Sequence, residues 1–159
     1  MDKSEFTNLK NYIFGSTAAI ITNISLIVGL GSAQAGKMPI VGGLLTIAIA
    51  DNISDSLGIH MYKEAEGRGT KLSLLATALN FTARLLVSLS FVFIVLAFPA
   101  TQAMAISIVW GLVLLTFMSY LITRKRCQNP VLEILRHLVV AIVVIVLSRY
   151  AGRLVADHI

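Results

Sequence analysis

Two aspartates one helical turn apart, Asp51 and Asp55, stand inside the apolar run Ala48-Ile49-Ala50-Asp51-Asn52-Ile53-Ser54-Asp55. If that run crosses a bilayer, each carboxylate carries an insertion cost of about 2.5 to 3.5 kcal/mol, and such groups face a bundle interior or a watery cavity. Oxygens from Asp51, Asp55, Asn52, Asn23 and Ser54 can replace the hydration shell of a hard or borderline divalent cation. Imidazole at His60 widens that range toward transition metals. Two carboxylates at close range also exchange protons readily, because like charges favour retention of a proton by one of them. Metal and proton then compete for one site. His60 and Glu64, one turn apart near the end of the same segment, suit either an entry site or an ordinary solvated pair at the interface.

A second polar stripe, Thr77, Asn80, Arg84 and Ser88, recurs at spacings of three, four and four, so one face of a helix carries all four. Ser16 and Asn23, seven apart, mark a polar stripe on the first apolar segment. Arg84 bears a permanent charge and needs a counter-ion, and only Asp51 and Asp55 are acidic at its expected depth. Either Arg84 is a structural partner of one aspartate, or it is a tethered cation that holds the site when metal is absent.

The segments that must position these residues are hydrophobic throughout. Of 159 residues, 57% are hydrophobic and 13% charged, about half the ~25% charge of an average soluble domain. Five apolar stretches stand out: 12–33, 38–62, 72–98, 100–123 and 131–156. Each exceeds the ~20 helical residues that cross a hydrocarbon core about 30 Å thick. Helices are the expected form, because lipid supplies no partner for open backbone groups. The fold class expected is therefore all-α, a polytopic bundle of five transmembrane helices forming one domain over residues 1–159. Short connections make neighbouring helices antiparallel. The first stretch is too long for a secretory signal and lacks a small-residue cleavage site, so it counts as a span. At ~1.5 Å per residue, Asn23, Asp51 and Arg84 all lie about eleven to thirteen residues into their spans, and a single mid-membrane layer is expected to hold them together with Asp55.

Basic residues set the expected orientation. With the N-terminus cytoplasmic, Lys3, Lys10, Lys63, Arg68, Lys71, Arg124, Lys125, Arg126 and Arg136 lie inside, against Lys37, Arg149 and Arg153 outside. That asymmetry favours a cytoplasmic N-terminus and an external C-terminus. In a prokaryote this places the protein in the plasma membrane. The net charge of +5 then describes a positive inner face beside anionic lipid and gives no ground for nucleic-acid binding. Cys127 is the sole cysteine and reads as an ordinary thiol in a reducing compartment. No zinc pattern, phosphate-binding glycine loop or Ser/His/Asp set occurs, so an enzyme is not expected, and neither is a permanently bound cofactor. Small residues four apart, Gly15 and Ala19, Gly29 and Ala33, Gly42 and Thr46, allow close helix approach within a subunit or between subunits.

The run from Phe14 through Thr22-Asn23-Ile24-Ser25 to Leu26-Ile27-Val28-Gly29-Leu30-Gly31 resembles the first helix of the vacuolar iron transporter family. The segment Gly43 to Gly58 is similar to that family's Gly/Ala-rich second helix, and Ile134-Leu135-Arg136-His137-Leu138 with Tyr150 and Gly152 to its fifth. The resemblance implies a five-span homodimer that moves iron(II) or manganese(II), with a central pathway. Two departures accompany it. Ala18 stands where the family has an aspartate in the first helix, and Asp55 aligns with its second-helix methionine, so the carboxylates have moved from one helix to the next. The cytosolic metal-binding helices of many members are replaced by the short segment Lys63 to Lys71. The expectation is a proton-coupled transporter of divalent cations, with metal as substrate, membrane lipid as surroundings and a homodimer as assembly. The alternatives are a transporter of another cation or solute, and a membrane scaffold that transports nothing.

Overall fold

The computed structural model describes residues 3–67, 69–126 and 130–158. Arg68 and Cys127 lie outside the described residues. Among the described residues six α-helices follow in order: α1 (Lys3–Ser32), α2 (Lys37–Thr46), α3 (Asn52–Ala65), α4 (Thr70–Ala97), α5 (Ala100–Arg126) and α6 (Pro130–His158). A π-helical turn, Ile47–Asp51, joins α2 to α3 without a break, so the two form one rod. Among the described residues there is no strand. Five rods are long and apolar enough to cross a membrane: α1, the α2–α3 rod, α4, α5 and α6. The chain is an all-α, multi-pass membrane protein built as a five-helix bundle.

Proline chemistry punctuates the spans. Pro39 sits in the first turn of α2, where a backbone N–H has no helical acceptor to lose. Pro99 keeps Phe98 out of the α region, and that residue is extended at φ −117° and ψ 155°, which ends α4. The Pro99 carbonyl then accepts the Ala103 N–H at 2.8 Å and starts α5. Pro130 is the first residue of α6, a position for which its ring is preorganised. Between α1 and α2 the chain reverses at Gln34, whose φ of 58° is left-handed.

The bundle is arranged around α1, which packs against α2, α4, α5 and α6. Its apolar face, Ala19, Ile20, Ile24, Ile27 and Val28, is sealed from solvent and meets Phe91 and Val95 of α4 and Leu115 of α5 in one core cluster. By contrast α3 packs chiefly on α4, and its far face is open. Two of the small-residue pairs work inside the subunit. Gly15 admits Asn80 of α4, and Gly29 lies against Gly152 of α6 so closely that a Cβ on Gly152 would overlap the Gly29 carbonyl oxygen. A Ser25–Ser148 hydrogen bond of 2.6 Å ties the same two helices. The third pair is left over: Gly42 and Thr46 are exposed, and a Cβ added at Gly42 would meet nothing within 4 Å.

Since the atoms facing Gly152 are backbone or sit close to it, Ser32 Cβ at 2.9 Å and Ala33 N at 3.1 Å from an added Cβ, the site cannot give locally. Gly152→Ala is therefore expected to push α6 off α1 and lower stability by about 1 to 3 kcal/mol. Thermal unfolding in detergent checks this, and an unchanged midpoint would refute the tight α1–α6 contact.

Candidate functional site

Asn80, Arg84 and Ser88 lie on one stripe of α4, and each is at most 1% exposed. The stripe faces the bundle interior because Ala83, Val87 and Phe91 beside it are core residues, so the guanidinium enters a region with no bulk water. The partners it meets come from α3 and the last residue of the π turn. Arg84 Nε donates to Asn52 Oδ1 at 2.8 Å, and Nη2 donates to Asp51 Oδ2. Nη1 lies 2.6 Å from Asp55 Oδ2, an ion pair whose geometry does not align an N–H with the oxygen. One planar fork thus spans three acceptors, at positions 51, 52 and 55 of a neighbouring rod, which is the kind of site arginine suits and lysine does not.

The π turn explains how those acceptors are aligned. On the α2–α3 rod Leu44, Ala48, Asn52 and Ser56 are all buried, a stripe of strict spacing four. In a regular α-helix four residues overshoot a turn by roughly 40°, so such a stripe would wind away from its neighbour. The wider π turn takes back that drift. At its end the Asn52 N–H bonds to Ile47 O and Ile49 O, and the Asn52 side chain donates to Ala48 O at 2.7 Å. That donation commits the amide nitrogen and turns Oδ1 toward Arg84. π turns of this kind occur frequently at functional sites.

The charges do not balance. Two carboxylates face one guanidinium, which leaves the cluster with a net negative charge when both are ionised. Arg84 is buried at 1%, whereas the side chains of Asp51 and Asp55 are 39% and 41% exposed, on the flank of the open α3 face. The arginine is therefore the inner wall of the site, and the carboxylates are its accessible rim.

Of the residues singled out from sequence, the structure brings Asp51, Asn52, Asp55 and Arg84 together. The others go elsewhere. Asn23 donates to Ala19 O at 2.7 Å and to Ser88 Oγ at 2.9 Å, one turn of α4 beyond Arg84, because Ser88 is the polar residue that α1 meets at that height. Asn80 donates to Ser56 Oγ at 3.3 Å, one turn on the other side of Arg84. The Oδ1 atoms of Asn23 and Asn80 are buried without a hydrogen-bond partner. Ser54 is exposed: two residues from Asn52 and two from Ser56, it points about 160° away from both. His60 Nε2 lies 3.4 Å from Glu64 Oε1, a separate pair toward the end of α3. The single layer anticipated from depth is thus three successive steps along α4, with the carboxylates at the middle one. Among the described residues no three His, Cys, Asp or Glu side chains gather as a metal cluster. Sequence reasoning missed the π turn and the clamp role of Asn52. The strict spacing of four from Leu44 to Ser56 was the available signal.

No protein family, curated protein or solved structure matches the chain.

Arg84→Gln leaves two facing carboxylates without their cation and is expected to cost on the order of 3 kcal/mol of stability, as for a broken buried ion pair. Adding Asp51→Asn to it removes one of the two charges and should recover much of the loss. Unfolding of the purified variants in detergent measures both, and an Arg84→Gln protein as stable as the parent would show that the clamp contributes nothing to stability.

Proposed function

We propose that this protein is a transporter of divalent metal cations of the iron(II) or manganese(II) type, exchanging metal for protons at Asp51 and Asp55, and that it is a divergent relative of the vacuolar iron transporters. The observation that carries this reading is the unequal clamp: two membrane-embedded carboxylates against one guanidinium, half-exposed on an open helix face. A purely structural ion pair needs one carboxylate. The second costs insertion energy and has no structural purpose that a neutral residue would not serve.

In the resting site Arg84 stands in for the substrate. A divalent cation arriving at the rim takes the oxygens of Asp51 and Asp55 and competes with the guanidinium for them, and protonation of either aspartate weakens its hold on metal. Asn52 Oδ1, aimed by its own bond to Ala48, offers a neutral oxygen at the same place. Two carboxylates and an amide fall short of the six or more oxygens that hard divalent ions take, with water supplying the remainder or a second subunit adding to it.

The same shortfall supports a homodimer. The exposed residues Gly42, Leu45, Thr46, Ile49, Ile53 and Leu57 run the length of the α2–α3 rod, with the two aspartates on their flank. A twofold contact on this face covers the unused small-residue pair and brings four carboxylates around one pathway. The excess of basic residues on the N-terminal side supports a cytoplasmic N-terminus, an external C-terminus and, in a prokaryote, a plasma-membrane location.

Asp51→Asn and Asp55→Asn are each expected to insert and assemble normally while cutting metal-dependent proton movement in proteoliposomes roughly tenfold or more, the change that about 1.4 kcal/mol of lost ligand energy produces. Parental flux in both would sink the assignment. With Arg84→Gln, iron(II) or manganese(II) should raise the unfolding temperature more than it does for the parent, because the competing cation is gone. A scaffold would show no metal effect in either protein. Cross-linking through cysteines placed at Gly42 or Thr46 should trap a dimer, and an active monomer would remove the shared pathway.

A further inference from the structure

A groove of about 580 Å³ runs between α5 and α6, on helices that take no part in the Asp51–Arg84 cluster. Val109, Val113, Phe117 and Tyr120 of α5 form one wall, and Ile134 and Leu138 of α6 form part of the other. Thr116 also borders it, but its hydroxyl is committed to Leu112 O at 2.7 Å. The lining is therefore apolar along its length. From Tyr120 to Val109 the groove covers eleven residues of α5, about 16 Å at ~1.5 Å per residue. That is one leaflet, half of a hydrocarbon core about 30 Å thick.

The two ends of the groove differ in chemistry. Val109 ends it near mid-membrane, whereas one turn beyond Tyr120 the same stripe of α5 continues to the exposed Arg124, followed in the chain by Lys125 and Arg126. No acidic residue occurs anywhere on α5. Glu133 at the start of α6 pairs with its own i+3 neighbour Arg136 at 3.2 Å. Tyr120 lies where amphipathic rings collect, at headgroup level.

We propose that the α5–α6 groove binds one acyl chain of an anionic phospholipid, whose headgroup phosphate is held at Arg124. A second copy of the chain is a poorer occupant: a twofold axis along the membrane normal would set the basic end of one subunit against that of the other. An anionic lipid turns the same charges into attraction, and basic pockets at the cytoplasmic ends of transmembrane helices bind such headgroups.

The test is native mass spectrometry of the full chain released from vesicles of equal parts phosphatidylglycerol and phosphatidylcholine. The parent should retain the anionic lipid at least about tenfold more than the neutral one. Arg124→Gln with Lys125→Gln and Arg126→Gln should bring the two lipids level, since only the headgroup contact is lost. Val113→Trp fills the groove and should reduce both lipids at unchanged helix content by circular dichroism. Equal retention of the two lipids by the parent, or full retention by Val113→Trp, would overturn the proposal. A Val113→Trp change that instead dissociates a dimer would assign the groove to a subunit contact.

Discussion

A guanidinium buried in the membrane interior governs the arrangement of this bundle. Arginine stays charged at any physiological pH, and hydrocarbon offers neither water nor counter-ions. Every solution the chain finds for Arg84 must come from a neighbouring helix. The rod of α2 and α3 supplies it by presenting Asp51, Asn52 and Asp55 within one turn, so the packing of α3 on α4 and the chemistry of the site are one problem. The π turn belongs to that solution. Without it the buried stripe of the rod would wind off α4 before reaching the acceptors.

Around this fixed point the polar residues of α4 each meet a partner in sequence, Asn80 donating to Ser56 and Ser88 accepting from Asn23, while Arg84 takes the middle. The flanking amides keep the arginine stripe facing inward at both ends. Each of these contacts brings a helix close to α4, and Gly15 is what lets α1 approach Asn80. The site is closed on its inner side by buried residues of α4. It is open on the other, where among the described residues α3 packs chiefly on α4 and leaves its far face exposed.

That asymmetry is what any reading of the carboxylates must account for. A scaffold would bury its ion pair on both sides and match charge for charge. Here the cation is inside, and the two carboxylates that face it are partly exposed. The open face of α2–α3 and the groove of α5–α6 lie on different helices.

Much of the fold was legible from residue types alone. The five spans follow from the length of each apolar run, because hydrocarbon thickness sets how many helical residues a crossing takes. Asp51, Asp55 and Arg84 were legible as partners because charge at that depth has no other recourse. What the chain order could not settle was which neutral polar groups meet. Asn23 and Asn80 sit at depths that suit the carboxylates, yet a residue's depth says nothing of its azimuth, and it is the packing of α1 and α3 on α4 that sends them to Ser88 and Ser56. Ser54 shows the same limit, one residue from Asp55 in the chain and on another face in space. The π turn was decided only in three dimensions. It exists because a stripe of spacing four must stay on a straight neighbour, and that requirement belongs to the pair of helices rather than to either sequence.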